Sequence, residues 1–394
     1  MSDIKKILDR KVEEVIVQEE LEKKLASGKK LRIKLGADPS RPDLHIGHAV
    51  VLGILKAFQD MGHQIVFIIG DYTAKIGDPS GKSKTRPILS DAEIKKNAQT
   101  YFDQVGKILD VDKTEIRYNS EWFTKKNFAD ILDLCGKFTV ARITERDDFA
   151  NRLQKGVDVG LHELLYPVMQ AYDSVELKAD VEVGGTDQRF NMLAGRSLQK
   201  RLGQIPQDVI TGKLLVGLDG TEKMSKSLGN YIGLTESADS MYGKVMSIPD
   251  DLIVNYFELA TQCPEEKVEE VKKQLEDGKT NPRDLKAELA RKIVTLYHDN
   301  KAAIAAEKEF TKIFTQKERP TNIKTHNLPA TTYNLVDLLP ELELVDSKGE
   351  GRRLIEQGAV KIDDKVVKEW DIKIKVKSGT TIQVGKRKFA KVEV

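Results

Sequence analysis

The chain has 394 residues, 40% hydrophobic and 32% charged, which suits a globular protein of two or three domains and excludes a disordered one. A formal net charge of only +2 argues against bulk, sequence-independent nucleic-acid binding. No apolar run approaches the ~18 residues that a spanning helix needs, and Met1-Ser2-Asp3-Ile4-Lys5-Lys6 lacks a signal peptide's apolar segment, so a cytoplasmic protein with no membrane contact is expected.

Residues 1 to 30 read as an amphipathic helix ending near Gly28. Leu31 to Gly36 reads as a strand, His48 to Met61 as a helix stopped by Gly62, and Gln64 to Gly70 as a strand buried on both faces. Strand, turn, helix and strand at this spacing predict a βαβ unit and a parallel sheet. Leu161 to Leu177 then reads as a helix, Ala179 to Val183 as a strand running into Gly184-Gly185-Thr186, and the chain to Leu202 as another helix. Gln207 to Val216 is β-prone. Residues 250 to 316 read as helical and 317 to 330 as a linker. A short helix, Gly351 to Gln357, precedes β-prone pieces at 360–362, 365–367, 372–376 and 381–384. From Ser347 onward 13 Lys and Arg face 7 Asp and Glu, a net +6 that leaves −4 on the rest of a chain at +2. A basic tail on a mildly acidic body points to a localised polyanion site, with a solubilising surface as the plainer alternative. Cys135 and Cys263 match no metal or redox spacing and read as buried, reduced thiols; no metal site is expected.

The densest chemistry is the segment Leu44-His45-Ile46-Gly47-His48 followed far downstream by Lys223-Met224-Ser225-Lys226-Ser227. Two imidazoles three residues apart at a helix start can face one phosphate, and Gly47 permits close approach. Two ammonium groups on a Gly-flanked loop can close over a polyphosphate and open again. Positioned donors of this kind stabilise charge that builds on a phosphate in a transition state. Gly77-Asp78-Pro79-Ser80-Gly81-Lys82-Ser83 imitates a phosphate loop, but Ile76 occupies the Gly position that pattern requires. Lys82 and Arg86 remain as cations. On Tyr166-Pro167-Val168-Met169-Gln170-Ala171-Tyr172-Asp173, Tyr166, Gln170 and Asp173 fall at i, i+4 and i+7. A polar stripe there suits a ligand with several hydrogen-bonding groups.

Together these residues resemble the class I aminoacyl-tRNA synthetases, whose HIGH and KMSKS motifs stand here as His45-Ile46-Gly47-His48 and Lys223 to Ser227. The YPVMQAYD helix with Val183-Gly184-Gly185-Thr186-Asp187-Gln188 is similar to the bacterial tyrosyl-tRNA synthetases, and Gly351 to Gly358 with Val360-Lys361-Ile362 resembles the S4 RNA-binding motif. The resemblance covers essentially the whole chain. It implies an α/β fold: a Rossmann-type parallel-sheet catalytic domain (1–235), a helical anticodon-arm domain (236–320) and a small α+β S4-like domain (331–394). It implies activation of L-tyrosine by ATP, with Mg²⁺ accompanying ATP, then transfer to tRNA(Tyr), and a homodimer. By position, Ser40, His45 and His48 would contact ATP phosphates, and Lys223 and Lys226, with Lys82 and Arg86, would hold pyrophosphate. Tyr166, Gln170 and Asp78 would bind the amino group, Asp173 the phenol, and Gln188 would lie near the carboxyl group. Asp187 would bind the ribose beside Gly185, with Asp38 and Gly47 lining the ATP site. Lys348, Arg352 and Arg353 would contact tRNA. Many bacterial relatives carry a Tyr at the end of the first strand; Ile33-Lys34-Leu35-Gly36 has none, so a second phenol contact is unassigned. Three other readings stand beside this one. Tryptophanyl-tRNA synthetases share the class motifs, but Asp173 and the tail favour tyrosine. Small nucleotidyltransferases can carry His-x-Gly-His without the lysine loop or the tail. An RNA-binding paralogue without catalysis would have damaged motifs, whereas His45, His48, Lys223 and Lys226 are intact.

Overall fold

The computed structural model describes residues 10–39, 44–79, 90–314, 316, 323–385 and 388–394. It divides into two units, Met1–His298 and Asp299–Val394. The first is built on six strands: β1 (Val12–Ile16), β2 (Arg32–Ala37), β3 (Gln64–Ile69), β4 (Thr114–Tyr118), β5 (Val181–Gly185) and β6 (Asp208–Gly212). Their order is β1-β6-β5-β2-β3-β4. Only β1 runs antiparallel, against β6; the rest are parallel. Ile65 to Ile69 are all buried, as a continuous apolar strand inside a parallel sheet should be.

The βαβ unit forms as the sequence predicts. The helix Ile46–Asp60 buries Ile46, Val50, Leu52, Ile54, Leu55 and Phe58, and Gly62 leaves it at φ 87°, a conformation that favours glycine. The helix Leu161–Leu177 forms over the residues expected, and Arg189–Arg201 follows β5. At the N-terminus the expectation of one long helix fails. Val12–Ile16 is a strand that separates the helical residues Arg10 and Lys11 from the helix Gln18–Ala26, with Val17 turning at φ 58°. Val12, Val15 and Ile16 are β-branched and gain more by extending the sheet beside β6 than by a helical turn.

The expected helical stretch is shared between the units. Ala238–Met246, Ile253–Ala260, Glu265–Glu276 and Pro282–Tyr297 lie in the first, and Asn300–Phe314 in the second. The second unit is α+β. The strands β7 (Lys324–Asn327), β9 (Val360–Ile362), β10 (Lys365–Val367), β12 (Thr381–Val384) and β13 (Lys388–Glu393) form a sheet ordered β10-β9-β12-β13-β7, and β8 (Thr332–Asn334) pairs with β11 (Lys373–Lys375). Leu335, Leu338, Leu339, Ile355, Ile382 and Val392 form its core. The stretch expected as linker is therefore partly strand: Lys324–Asn327 runs parallel to β13, because Ala390 to Glu393 present a free edge to it. Cys263 is buried and Cys135 half-buried, and both are free thiols. Among the described residues no helix is long and apolar enough to cross a membrane.

Candidate active site

Strand order reverses between β2 and β5: β3 and β4 continue one way, β6 and β1 the other. Open α/β sheets bind ligands at the carboxyl ends of strands beside such a reversal. Asp38 follows β2, Gly70 follows β3, and Gly185 ends β5. Gly70 is obligatory, since a Cβ there would lie 2.1 Å from Asp38 Oδ1.

On one side lies the histidine pair. His45 precedes the first turn of the Ile46–Asp60 helix, and its backbone N–H donates to His48 Nδ1 at 3.2 Å. That bond makes Nδ1 the acceptor and leaves Nε2 of a neutral His48 as the donor. The two rings lie 3.8 Å apart between centroids. Burial, then the charges of His48, Lys226 and Lys223, push the His45 imidazole down to about 2. Desolvation by the surrounding protein, then Lys226, lowers His48 as well, although its ring keeps solvent access at the mouth of the site. Both are neutral near pH 7. His45 Nδ1 is buried without a hydrogen-bond partner among the described residues, the condition a ligand atom would relieve. Gly47 lets the chain pass close to this ring, since a Cβ there would stand 2.9 Å from that Nδ1 and make the ring shift; Met224 Cβ lies 3.6 Å from the same point.

Met224 of the lysine loop therefore lies beside Gly47, between the two histidines in sequence. Ile46 N–H donates to Ile232 O at 3.0 Å and Leu234 N–H to Leu44 O at 2.9 Å, so the chain leaving the loop is stitched to the helix start. Asn230 holds the loop from inside: its Oδ1 accepts from Ser225 N–H at 2.7 Å, and its Nδ2 donates to Lys223 O and to Asp219. Gly229, at φ 70°, closes the turn that starts at Lys226. Lys223 Nζ pairs with Asp187 Oδ2 at 2.7 Å, just beyond the end of β5. Lys226 and Asp187 both act electrostatically on His48, in opposite senses, so the four groups form one charged cluster.

A second cluster occupies the Leu161–Leu177 helix. Tyr166 O–H donates to Asp38 Oδ2 at 3.0 Å, and Thr73 O–H donates to Asp38 Oδ1 at 2.8 Å. Asn119 Nδ2 contacts Thr73 Oγ1 at 3.0 Å and, at 3.4 Å, Asp173 Oδ2. Trp122 Nε1 donates to Asp173 Oδ1 at 2.9 Å. Asp173 is buried, and burial raises its carboxyl to about 7 against the opposing pull of Lys34. Gln170 Nε2 lies 3.4 Å from Glu182 Oε1, and Gln170 Oε1 is buried with no hydrogen-bond partner among the described residues. Asp78 Oδ2 accepts from Gln188 Nε2 at 2.7 Å, and Arg146 Nη2 lies 3.5 Å from Asp78 Oδ1. A cleft of about 1110 Å³ adjoins Asp187 and is bordered by Arg142, Arg146, Arg189, Phe190, Leu193 and Arg201. His45, Tyr166 and Asp173 do not line it.

The chain therefore brings together His45, Gly47, His48, Lys223, Lys226, Gly185 and Asp187 as one group, and Asp38, Tyr166 and Asp173 as another. Asp78 and Gln188 form a third, and Gln170 faces Glu182. Ser40, Lys82 and Arg86 lie outside the described residues. In the second unit Lys348, Arg352 and Arg353 share the helix Lys348–Glu356 and are exposed. Lys348 pairs with Asp337 at 2.7 Å, and the Arg352 guanidinium lies 4.2 Å from the Trp370 ring centroid. Sequence reasoning did not find Thr73, Asn119, Trp122, Asn230 or the Lys34–Glu182 pair. The pair had a signal, Lys34 between Ile33 and Leu35 and Glu182 between Val181 and Val183; the others had none.

A family model described as tRNA synthetases class I (W and Y) matches residues 26–315, and one described as the tyrosine--tRNA ligase SYY-like C-terminal domain matches 315–392. The tyrosine--tRNA ligase of Moorella thermoacetica is 49% identical over 391 residues, covering 98% of this chain and 95% of that protein. That of Thermotoga maritima is 48% identical, covering 98% and 96%. Among solved structures, a tyrosyl-tRNA synthetase complexed with L-tyrosine from Archaeoglobus fulgidus superposes with a TM-score of 0.64 at 24% identity, over 78% of this chain and 99% of that one.

Proposed function

The chain belongs to the tyrosine--tRNA ligases of class I, and from that membership we propose how its residues divide the work. The reaction joins L-tyrosine to tRNA(Tyr) in two steps. A tyrosine carboxylate oxygen attacks the α-phosphorus of ATP, pyrophosphate leaves, and a ribose hydroxyl of the terminal adenosine then displaces AMP from the tyrosyl group.

The observation that carries the residue assignment is Asp173. Its carboxylate is buried and fixed by Trp122 and Asn119, so a phenol O–H arriving there completes its hydrogen bonds, and a phenyl ring leaves it short. Tyr166, Gln170 and Asp78 take the α-ammonium group, and Gln188, held by Asp78, lies beside the carboxylate. Neutral His45 and His48, with Ser40, donate to phosphate oxygens as the α-phosphorus gains a fifth ligand. Gly47 keeps their approach open. Lys223 leaves Asp187 to meet the β- and γ-phosphates together with Lys226, Lys82 and Arg86. The freed Asp187 carboxylate accepts from the ribose hydroxyls beside Gly185, with Asp38 lining the same wall. Loop closure and reopening then frame pyrophosphate release. Mg²⁺ would come bound to ATP oxygens and water. Among the described residues no three His, Cys, Asp or Glu gather as a metal site.

Residues 1–235 would carry the activation chemistry, 236–320 would support the anticodon arm, and 331–394 would hold tRNA through Lys348, Arg352 and Arg353. Exposed Phe128, Val140 and Leu161, together with Leu132 and Leu153, support a homodimer formed through the 128–161 segment. Sedimentation of Phe128→Asp as a monomer would agree; an unchanged dimer would move the interface elsewhere. A cytoplasmic location follows from the substrate, tRNA. The overall reading is tested by pyrophosphate exchange with tyrosine, tryptophan and phenylalanine. Exchange with tyrosine alone is expected; exchange with tryptophan would overturn the assignment of the amino acid.

A further inference from the structure

Lys34 and Glu182 are almost wholly enclosed, at 1% and 2% exposure, and face one another across β2 and β5, where they are register partners. Their charged atoms lie 2.8 Å apart. A buried ion pair is an expensive way to join two strands that apolar residues would join as well, so its retention asks for a purpose. Every donor of the ammonium is used: Glu182 Oε1, Ser174 Oγ at 2.8 Å and the Gln170 backbone carbonyl at 3.3 Å. Glu182 in turn accepts from Ser174 Oγ at 3.1 Å and from Gln207 Nε2. Its remaining neighbour is the Gln170 carboxamide, 3.4 Å away through Nε2. The opposite flip of that amide would turn Oε1 toward the carboxylate, acceptor against acceptor. The carboxylate therefore decides the flip and leaves Gln170 Oε1 buried and, among the described residues, unpartnered.

We propose that the Lys34–Glu182 pair is a positioning device that fixes the Gln170 carboxamide with Oε1 toward the bound amino acid, where it accepts from the α-ammonium group. This rests on the reading of Gln170 as an ammonium contact. Glu182 sets the flip; Lys34 neutralises Glu182 and holds the Gln170 backbone, so helix and sheet keep one spacing. Lys34 also acts electrostatically on Asp173, so the test compares two ligands that share the phenol.

The test is calorimetric binding of tyrosine and of 3-(4-hydroxyphenyl)propionate, which is tyrosine without its amino group. The ratio of their affinities isolates the ammonium contact from general damage to the pocket. Lys34→Met with Glu182→Leu is expected to lower that ratio about tenfold or more, the scale of a lost hydrogen bond to a charged group. Lys34→Met with Glu182→Gln restores the acceptor without the charge and should recover most of the ratio. Gln170→Ala is the reference. If it leaves the ratio unchanged, the ammonium reading of Gln170 fails. If it lowers the ratio and the Leu variant does not, that reading stands and the positioning role is overturned. Should the Leu variant not fold, Glu182→Asp carries the same test, since it keeps the charge but withdraws it by one methylene. A lowered ratio supports the proposal and an unchanged one overturns it.

Discussion

Asp173 keeps a carboxyl group between an indole N–H and a carboxamide, and burial raises it from 3.8 to about 7. Between those values the native protein holds a proton that the unfolded chain has released. Stability is therefore full below pH 4, falls as pH rises to 7, and levels off above, a loss of about 4 kcal/mol for a shift of this size. Asp173→Asn should remove that contribution, so that denaturant unfolding at pH 5 and pH 8 differs less in the variant than in the parent. Equal slopes would mean that the carboxyl ionises normally. The histidines behave differently, because both are held neutral. As neutral donors they can be mimicked: His48→Asn should keep more activation than His48→Ala. In the alanine variant kcat should fall about 100-fold with KM for ATP little changed, the mark of an interaction made in the transition state. Steady-state pyrophosphate exchange reads both quantities. The spacing of Tyr166, Gln170 and Asp173 made the face of that helix legible in the sequence. Asn119 and Trp122 were not legible as its partners, since they come from a separate segment and no local pattern ties them to residue 173.

The lysine loop works as an element through Asn230, which lies outside the motif yet bonds to Ser225, Lys223 and Asp219. Asn230→Ala should free the loop, lower kcat for activation about tenfold by analogy with other loop-gated steps, and speed tryptic cleavage after Lys223 and Lys226. Unchanged cleavage would place the loop's order elsewhere. The central βαβ unit was legible because helical and strand periodicities alternate cleanly from Leu31 to Ile69. β1 was missed because the short run Val12 to Ile16 fits either period, and only its pairing with β6, far along the chain, decides it. β7 was hidden for a similar reason: Lys-Thr-His-Asn has no apolar face, and it is a strand because β13 offers it an edge.

In the whole molecule the two family models divide the chain at residue 315, and the two chemical steps should separate along that division. Arg352→Ala with Arg353→Ala should weaken tRNA charging and flatten its salt dependence while leaving tyrosine-dependent exchange intact, because phosphate contacts act on tRNA alone. Loss of exchange as well would mean that this helix supports the active site. The basic character of the second unit was legible from charge alone; its sheet order was not, because strands of three to six residues carry little pattern individually. On the proposed assignment, Asp173 makes this site select a phenol. The most direct measurement is the ratio of kcat/KM for tyrosine over phenylalanine in pyrophosphate exchange, in the parent chain and in Asp173→Ala. The ratio should fall at least tenfold, through loss of tyrosine activation rather than of ATP binding. An unchanged ratio in a folded variant would contradict it and move phenol recognition to another residue.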